Sequence, residues 1–349
     1  MNFDILRKHN EMPGAKKVFF VPINTGQLDL YEGFMANGFE LYSLNFGGIK
    51  GWSESVYMKR RGEMDSVFLK ACDDIRPDWV YMMLDSARLS PGAIKKAKKI
   101  LPNAIFTNWT GDVRREPKPF VVELGKIVDI TLIVSTGQLE QYRRHGLNRV
   151  EFLQAGIDTG KFFRMSEKER EVLRKELKHD VVFCAHNTTA HPGSAQRNEI
   201  GIKLSKLYGS RCALYGGGWK KCKASARGPI PYFDQNKVYN GSKIVISINN
   251  YNDIEMYFSA RQLAAMGSGT ITVSRYIPGL EKYFDNGHDL VWFTTTDECM
   301  KLVDYYLKNE DEARQIGING AKKIQECHSR VEFVRKIATQ LGFLGQKEL

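Results

Sequence analysis

Short apolar runs alternate with longer mixed stretches along the first half of the chain. The runs are rich in valine, isoleucine and phenylalanine and are bounded by polar residues, which is typical of strands in a parallel sheet covered on both faces. The strands predicted for this first block are Val18–Pro22, Trp79–Leu84, Ala104–Trp109, Ile130–Ser135 and Val150–Gln154. Helical stretches separate them, so the pattern predicts a doubly wound α/β domain.

A second block repeats this pattern after the charged segment SEKEREVLRKELKHD. Its predicted strands are Val181–Ala185, Ala213–Gly216, Lys243–Asn249, Thr270–Val273 and Val291–Phe293. A long helical region from about Asp297 to Gly342 closes the block and opens on a capping box, Thr295 with Glu298. We therefore expect two doubly wound domains that face a cleft.

The predicted boundaries follow from these blocks. Residues 1–156 form an N-terminal domain on the acceptor side, 157–179 a linker, and 180–326 a C-terminal donor domain. Residues 327–349 form a C-terminal helix, and its return to the N-terminal domain is left open.

The segment from Tyr257 to Phe284 combines a helix, a glycine stop, a strand and a proline-glycine turn. Ser259 and Arg261 begin the predicted helix, and Gly267-Ser268-Gly269 ends it before the strand. A helix N-terminus carries unpaired N–H groups and a partial positive charge, so an arginine beside it suits a phosphate. The alternative is an ordinary helix and strand with a solvated arginine.

Composition narrows the class of protein. The chain has 349 residues, of which 42% are hydrophobic and 26% charged, enough for two domains with a core each. It has no apolar run near the roughly 20 residues that span a bilayer, and its N-terminus lacks the apolar region of a signal peptide. The six cysteines are scattered and predict neither a zinc site nor a disulfide framework. We expect a cytoplasmic protein.

The charge balance is basic, with 51 lysines and arginines against 40 acidic residues, a formal net charge of +11. This field predicts an anionic partner, such as a nucleotide, nucleic acid or an acidic polymer. The cluster Lys95 to Lys99 follows Ser90-Pro91, a good helix start, and is expected on a solvated helix face. The cluster Lys220-Lys221-Lys223 follows a glycine run in a loop and is harder to explain in that way.

Ligands of open α/β sheets bind outside the carboxyl ends of the strands. Small and polar residues follow six of the predicted strands. In the first block they are Asn24-Thr25-Gly26, Asp85-Ser86 and Thr110-Gly111-Asp112-Val113-Arg114, and in the second block His186-Asn187-Thr188-Thr189, Gly216-Gly217-Gly218-Trp219 and Asn249-Asn250. Each loop alone could be a plain turn. Six such loops, all at the carboxyl ends of strands, favour a binding surface on each of the two sheets.

These residues resemble the GT-B glycosyltransferases, in particular the spore-maturation-type, glycosyltransferase group 1-like family with bacterial and phage members. The resemblance runs through most of the chain. In the second block it rests on Ser259, Arg261, Gly267, Gly269, Pro278-Gly279-Leu280-Glu281 and Asn286-Gly287. In the first block it rests on Asn108 to Arg114, Gly137-Gln138 before Tyr142, and Gly156-Ile157-Asp158 leading to Phe162-Phe163.

The resemblance implies an α/β protein of the GT-B fold and a nucleotide-diphosphate sugar as donor substrate, with no permanently bound cofactor. The residues that it and the loops place at the donor site are His186, Asn187, Thr188, Gly217, Gly218, Trp219, Asn249, Ser259, Arg261, Gly267, Gly269, Arg275, Gly279 and Glu281. Related enzymes often carry an acid three residues after the arginine, where this chain has Ala264. The ribose must then be held in another way, or the donor is not bound in the standard way.

Transfer of a glycosyl group leaves a diphosphate dianion, which Arg261 and the N–H groups near Gly217-Gly218 and Asn187-Thr188 are expected to stabilise. There is no Asp-x-Asp motif, so we expect no metal. An aromatic face at Trp219 is a candidate for stacking on a sugar or base. His186 and His191 could take a proton or bind phosphate, although lone loop histidines are more often surface residues.

The candidate catalytic residues lie on the acceptor side. Asp112 follows a strand and is the first candidate for a general base, with Asp85 second. The alternative for Asp112 is a helix N-cap, since Gly-Asp-Val-Arg could open a helix. Asn24, Thr25, Gly26, Trp109 and Arg114 complete the acceptor-side set, with core packing the favoured role of Trp109.

Three functions remain open at this point. The first is transfer to a polysaccharide or protein acceptor, and the second is transfer to hydroxymethylated bases of DNA, which the net charge of +11 supports. The third is a catalytically silent binding module, and an epimerase of the same fold is a weaker possibility. The sugar, the nucleotide base, the stereochemical outcome and the oligomeric state are not fixed by the sequence.

Overall fold

The computed structural model describes residues 6–22, 30–44, 54–86, 88–147 and 149–345. The described chain divides into two compact units, one reaching to Gln154 and including the residues from Arg330 onward, the other spanning Ala155–Ser329. No helix within the described ranges is long and apolar enough to cross a membrane.

The first unit is built on a mostly parallel sheet. Its strands are β1 Leu6–Lys8, β2 Lys17–Val21, β3 Glu40–Leu44, β4 Trp79–Met82, β5 Ile105–Thr110, β6 Ile130–Ile133 and β7 Val150–Phe152. Its first helices are α1 Leu30–Ala36, α2 Glu54–Lys59, α3 Arg61–Ile75, α4 Pro91–Ile100, α5 Pro119–Gly125 and α6 Leu139–Arg144. Among the described residues the strand order is β1-β3-β2-β4-β5-β6-β7, and β1 alone pairs in the antiparallel sense.

The second unit has a fully parallel sheet in its described part. The strands are β8 His179–Cys184, β9 Cys212–Tyr215, β10 Ala226–Gly228, β11 Ser242–Ser247, β12 Ile271–Arg275 and β13 Val291–Phe293, in the order β10-β9-β8-β11-β12-β13. The helices are α7 Glu167–Leu177, α8 Ser194–Tyr208, α9 Gln235–Asn240, α10 Ala260–Gly267, α11 Thr296–Lys308 and α12 Glu310–Cys327. The order reverses between β8 and β11, where a doubly wound sheet opens its binding crevice.

The last helix, α13 Arg330–Gln340, belongs to the first unit and packs on α1. A Cβ on Gly33 would lie 2.7 Å from the carbonyl oxygen of Arg330, so glycine permits this close approach. Beyond α13, the Phe343 ring stacks on Trp79 with 5.5 Å between ring centroids. The C-terminal segment therefore covers part of the core of the first unit.

Local sequence signals explain most of the elements. Each strand predicted from an apolar run is present, with its ends shifted by at most two residues. Ser90 caps α4, and its side chain accepts a hydrogen bond from the Ala93 N–H. The predicted capping box of Thr295 and Glu298 opens α11, and Ser166 with Glu169 forms another at α7, in the charged segment before the second block.

Three strands were not predicted. β1 and β10 are three-residue edge strands of polar or charged composition, and β3 has the mixed sequence ELYSL. These three strands form by pairing with their neighbours in the sheet, and no apolar run marks them in the sequence. The predicted helical region after Asp297 consists of three helices, which break at Asn309 and at His328.

Candidate functional site

The loops that follow β8 and β9 form one hydrogen-bonded layer at the carboxyl edge of the second sheet. The Asn187 N–H donates to the Gly217 carbonyl at 2.8 Å, and the Gly217 N–H donates to Nδ1 of His186 at 3.0 Å. The Asn187 side chain reaches the Gly218 carbonyl at 3.3 Å. The backbone at Gly217 and the ring of His186 are thus held together beside the crevice.

Gly218 requires glycine for two reasons. Its φ of +88° lies in the left-handed region, and a Cβ there would come within 1.9 Å of the Asn187 carbonyl oxygen. The tight layer therefore depends on the missing side chain, and a larger residue would separate the two loops.

Arg197 on α8 ties the ends of β8 and β11 together. It is 2% exposed and donates to the carbonyls of His186 at 2.8 Å and Ile248 at 2.9 Å. It also donates to Oδ1 of Asn250 at 3.0 Å. Burial, and then the nearby Arg261 charge, lowers the pKa of Arg197 to about 10, so it stays cationic at neutral pH.

Sequence reasoning missed Arg197. It lies three residues before Ile200 and seven before Leu204, both of which are buried on the same face of α8. A charged residue in register with an apolar helix face was the signal of a buried, hydrogen-bonded cation.

The start of α10 is fixed by Asn249. This residue is fully buried, and its Oδ1 accepts the Ser259 N–H at 3.0 Å, while Ser259 occupies the N-cap position. Arg261 is the second residue of the helix, half-buried, and donates to the Cys184 carbonyl at 3.3 Å. Arg261 and Arg197 therefore both reach the end of β8. Within the described chain neither forms an ion pair with a carboxylate, so this edge carries a local positive potential.

Gly267 and Gly269, predicted at the donor site, lie at the other end of α10. An eight-residue helix is about 12 Å long, so these glycines are at the amino edge of the sheet, away from Arg261. A Cβ on Gly267 would meet the Phe162 carbonyl at 3.1 Å, and one on Gly269 would meet the Arg164 side chain at 2.7 Å. Their position corrects the direct donor contact predicted for them, because they serve close packing.

Arg275 is the last residue of β12, and Gly279 and Glu281 follow the strand. The side chains of Arg275 and Glu281 both hydrogen-bond within the protein. Arg275 donates to Oε1 of Gln196 and to the carbonyls of Tyr276 and Phe293. Glu281 is exposed and accepts the Tyr276 hydroxyl at 3.0 Å. Gly279 adopts φ +86° in the turn.

The stacking role predicted for Trp219 is corrected by its burial. Only 3% of Trp219 is exposed, its indole N–H donates to the Ala185 carbonyl at 2.8 Å, and its ring packs on Phe183 and over Gly201. A ring inside the core has no free face for a sugar. Thr188, by contrast, is exposed in the loop after β8.

In the first unit, Asp85 and Asp112 follow β4 and β5, and each is paired with a cation. Asp85 accepts from Nζ of Lys118 at 2.8 Å, and Asp112 from Arg114 at 3.1 Å. The Asp112 side chain is 63% exposed. The helix-cap alternative for Asp112 does not hold, because residues 111–114 form a loop and α5 begins only at Pro119.

Two other acceptor-side predictions have definite positions. Trp109 is buried, donates to the Leu153 carbonyl at 3.1 Å and meets Phe333 edge-on, so it packs in the core. Asn108 is also buried and makes both amide hydrogen bonds with the backbone of Leu84, which fixes the chain next to Asp85. Asn24, Thr25 and Gly26 lie outside the described residues.

One group in the described part of the chain has the composition and spacing of a metal site. Asp285, His288 and Asp289 bring their ligand atoms within 4.8 Å of one another. Asp289 already accepts the Asp285 N–H at 3.0 Å and lies 2.9 Å from Nδ1 of His288, which are the bonds of a closed turn.

Known proteins provide an independent comparison. A sequence profile of the family described as "Glycosyl transferase-like" matches residues 197–339. No curated protein matches the sequence.

Solved structures match across both units. Sucrose-phosphate synthase from Thermosynechococcus elongatus has a TM-score of 0.67 at 11% identity, covering 94% of this chain and 98% of that one. Anabaena HepE in complex with UDP-glucose has a TM-score of 0.63 at 13% identity, covering 94% and 100%. A glycosyltransferase from Rickettsia africae has a TM-score of 0.65 at 14% identity, covering 94% and 99%. The chain therefore has the predicted α/β fold of two Rossmann-like units, as in GT-B glycosyltransferases.

Proposed function

We propose that this chain is a glycosyltransferase that moves a sugar from a nucleotide-diphosphate sugar to an acceptor hydroxyl. The observation that carries the proposal is Arg261 at the first turn of α10, at the point where the second sheet reverses its strand order. This region lies within the segment that matches the glycosyl transferase-like profile. A diphosphate leaving group needs positive charge at such a place.

The chemistry of the donor side follows from the groups around Arg261. As the glycosidic bond breaks, negative charge develops on the departing diphosphate. Arg261 can pair with it directly, while the buried Arg197 adds its field and holds the two loops in place. The further donor contacts that we propose are His186, Asn187 and Thr188 and backbone N–H groups of the loops after β8 and β9. The Asn187 and Gly217 N–H groups are not among these, because they already donate to the Gly217 carbonyl and to His186.

We propose uridine diphosphate as the nucleotide part of the donor. HepE, with the same fold, was crystallised with UDP-glucose and with UDP. With no acid at the position of Ala264, the ribose is held by other groups. We further propose that no metal takes part, since Arg261 and backbone amides meet the diphosphate charge.

On the acceptor side we propose Asp112 as the general base that takes the proton of the attacking hydroxyl. Its carboxylate is exposed and at a strand end, while Asp85 is held more tightly by Lys118. The acceptor that we propose is a polysaccharide or protein, in a spore-maturation-type enzyme. The six cysteines form no disulfide, which fits a reducing compartment.

The decisive experiment is calorimetry with nucleoside diphosphates, followed by incubation with a panel of nucleotide sugars and detection of released diphosphate. We expect binding of UDP over ADP and GDP and slow donor hydrolysis without acceptor. No binding of any nucleoside diphosphate would contradict the proposal. Binding without turnover, given a broad set of acceptors, would favour the silent binding module.

The DNA alternative has its own support in the net charge of +11. Binding to a DNA duplex, measured from 50 to 200 mM salt, distinguishes it. A steep fall of affinity with salt, together with transfer to hydroxymethylated DNA, would favour DNA as the acceptor. If the protein does not bind DNA at low salt, DNA is excluded as the acceptor.

A further inference from the structure

A cavity of about 460 Å³ opens between the loops that follow β8 and β9. Its wall includes Asn187, Thr188, His191, Asn198, Lys220 and Lys221. This volume falls in the range of small-molecule sites and exceeds what one inorganic phosphate fills. We call it the lysine cavity.

The charges that line the lysine cavity are all of one sign. Lys220 and Lys221 are exposed, and no ion pair or hydrogen bond of either side chain occurs within the described ranges. None of the described residues that line the cavity is acidic. His191 also faces it, and its Nδ1 has no hydrogen-bond partner among the described residues. The cavity therefore favours an anion.

The two lysines are held by a turn with buried ends. The Cys222 N–H donates to the Trp219 carbonyl at 3.0 Å, so Lys220 and Lys221 occupy the two central positions of a four-residue turn. Trp219 and Cys222 are 3% and 2% exposed. The backbone that carries both lysines is thus already ordered before a ligand binds.

The lysines of the cavity and Arg261 reach the end of β8 from opposite sides. The strand order places β8 between β9 and β11. Arg261 approaches the end of β8 from α10, which follows β11, while the lysines approach from the loop after β9.

We propose that the lysine cavity binds a phosphate group carried by the acceptor, so that the polysaccharide or protein acceptor is a phosphorylated one. This proposal rests on the proposed glycosyltransferase function, because it assigns the second substrate of that reaction. Lys220 and Lys221 pair with the phosphate oxygens, and His191 and Asn198 offer hydrogen bonds to the group attached to it. No bond is made or broken in the cavity.

The test is calorimetric titration of inorganic pyrophosphate into the full chain saturated with UDP. We expect pyrophosphate to bind when UDP is present, and the variant Lys220→Ala/Lys221→Ala to bind it at least tenfold more weakly. The affinity of the same variant for UDP should change less than twofold. Lys220→Arg/Lys221→Arg should retain pyrophosphate binding, since the charges remain.

A matched control removes the same net charge elsewhere. Lys95 and Lys96 are exposed on α4, and Lys95→Ala/Lys96→Ala should bind pyrophosphate as the unmodified protein does. Two results would overturn the inference: complete displacement of pyrophosphate by UDP, which would make the cavity part of the donor site, or unchanged binding in the alanine variant. Failure of UDP to bind would contradict the donor proposal alone, because the lysine variants still report on pyrophosphate.

Discussion

Arg261 is the residue on which the donor proposal depends. Its only hydrogen bond in the described structure is a 3.3 Å contact to the Cys184 carbonyl, which a diphosphate could replace. We expect Arg261→Ala to weaken UDP binding by about 1.5–3 kcal/mol, the range for a hydrogen bond to a charged group. Calorimetry measures this directly, with the exposed Arg144→Ala as the control for loss of one charge. Equal UDP affinity in a folded Arg261→Ala variant would refute the role.

Asp112 tests the acceptor side at the same scale. Asn keeps the size of the side chain but cannot take a proton, so Asp112→Asn should keep donor affinity and lose about 100-fold or more in turnover. Single-turnover transfer rates beside UDP affinity separate the two effects. Asp85→Asn is the comparison, and we expect a smaller loss. A near-normal rate for Asp112→Asn would leave the loop with a structural role only.

At the scale of elements, Arg197 connects α8 to the ends of β8 and β11. Arg197→Met should remove three hydrogen bonds and lower the free energy of unfolding by roughly 1.5–3 kcal/mol or more. It should also weaken UDP binding about tenfold, because the loops after β8 and β11 lose their common anchor. The two measurements are thermal unfolding and calorimetry below the unfolding transition.

Arg170 provides the matched control for Arg197. It is equally buried and donates to Asn240, the Ser268 carbonyl and Thr270, at the amino edge of the same sheet. Arg170→Met should also lower stability but leave UDP affinity unchanged in the folded protein. If both variants weaken UDP binding alike, Arg197 stabilises the fold without positioning the donor loops.

At the scale of the whole molecule, the negative charge of a diphosphate could be neutralised by arginines or by a metal ion. We expect transfer to continue in excess chelator, because we propose that Arg261 and backbone amides stabilise the leaving group. The measurement is the initial transfer rate with and without chelator. A loss of activity that magnesium or manganese restores would contradict this expectation and direct attention to Asp285, His288 and Asp289. Asp285→Asn would then show whether that turn holds the ion.

The sequence by itself determined most of the elements and the fold class. The apolar runs became β2, β4 to β9 and β11 to β13, and the capping boxes started helices where Ser and Thr precede Glu by three residues. The unit of Ser259, Arg261 and the strand after Gly269 also formed as predicted. These features depend on interactions between residues a few positions apart, and such interactions are visible in a linear pattern.

Only the tertiary structure decided which side chains face a ligand. Trp219 is anchored to Ala185, 34 residues away, and Arg197 to Ile248, 51 residues away. The parallel order of the strands sets both contacts, and no local pattern specifies it. The tertiary structure also buried the ring of Trp219, which was predicted to stack on a ligand. It placed Gly267 and Gly269 at the other edge of the sheet, and Lys220 and Lys221 beside a cavity. The sequence therefore shows which polar and charged groups the loops contain, and the fold determines which of those groups lie close enough to act together.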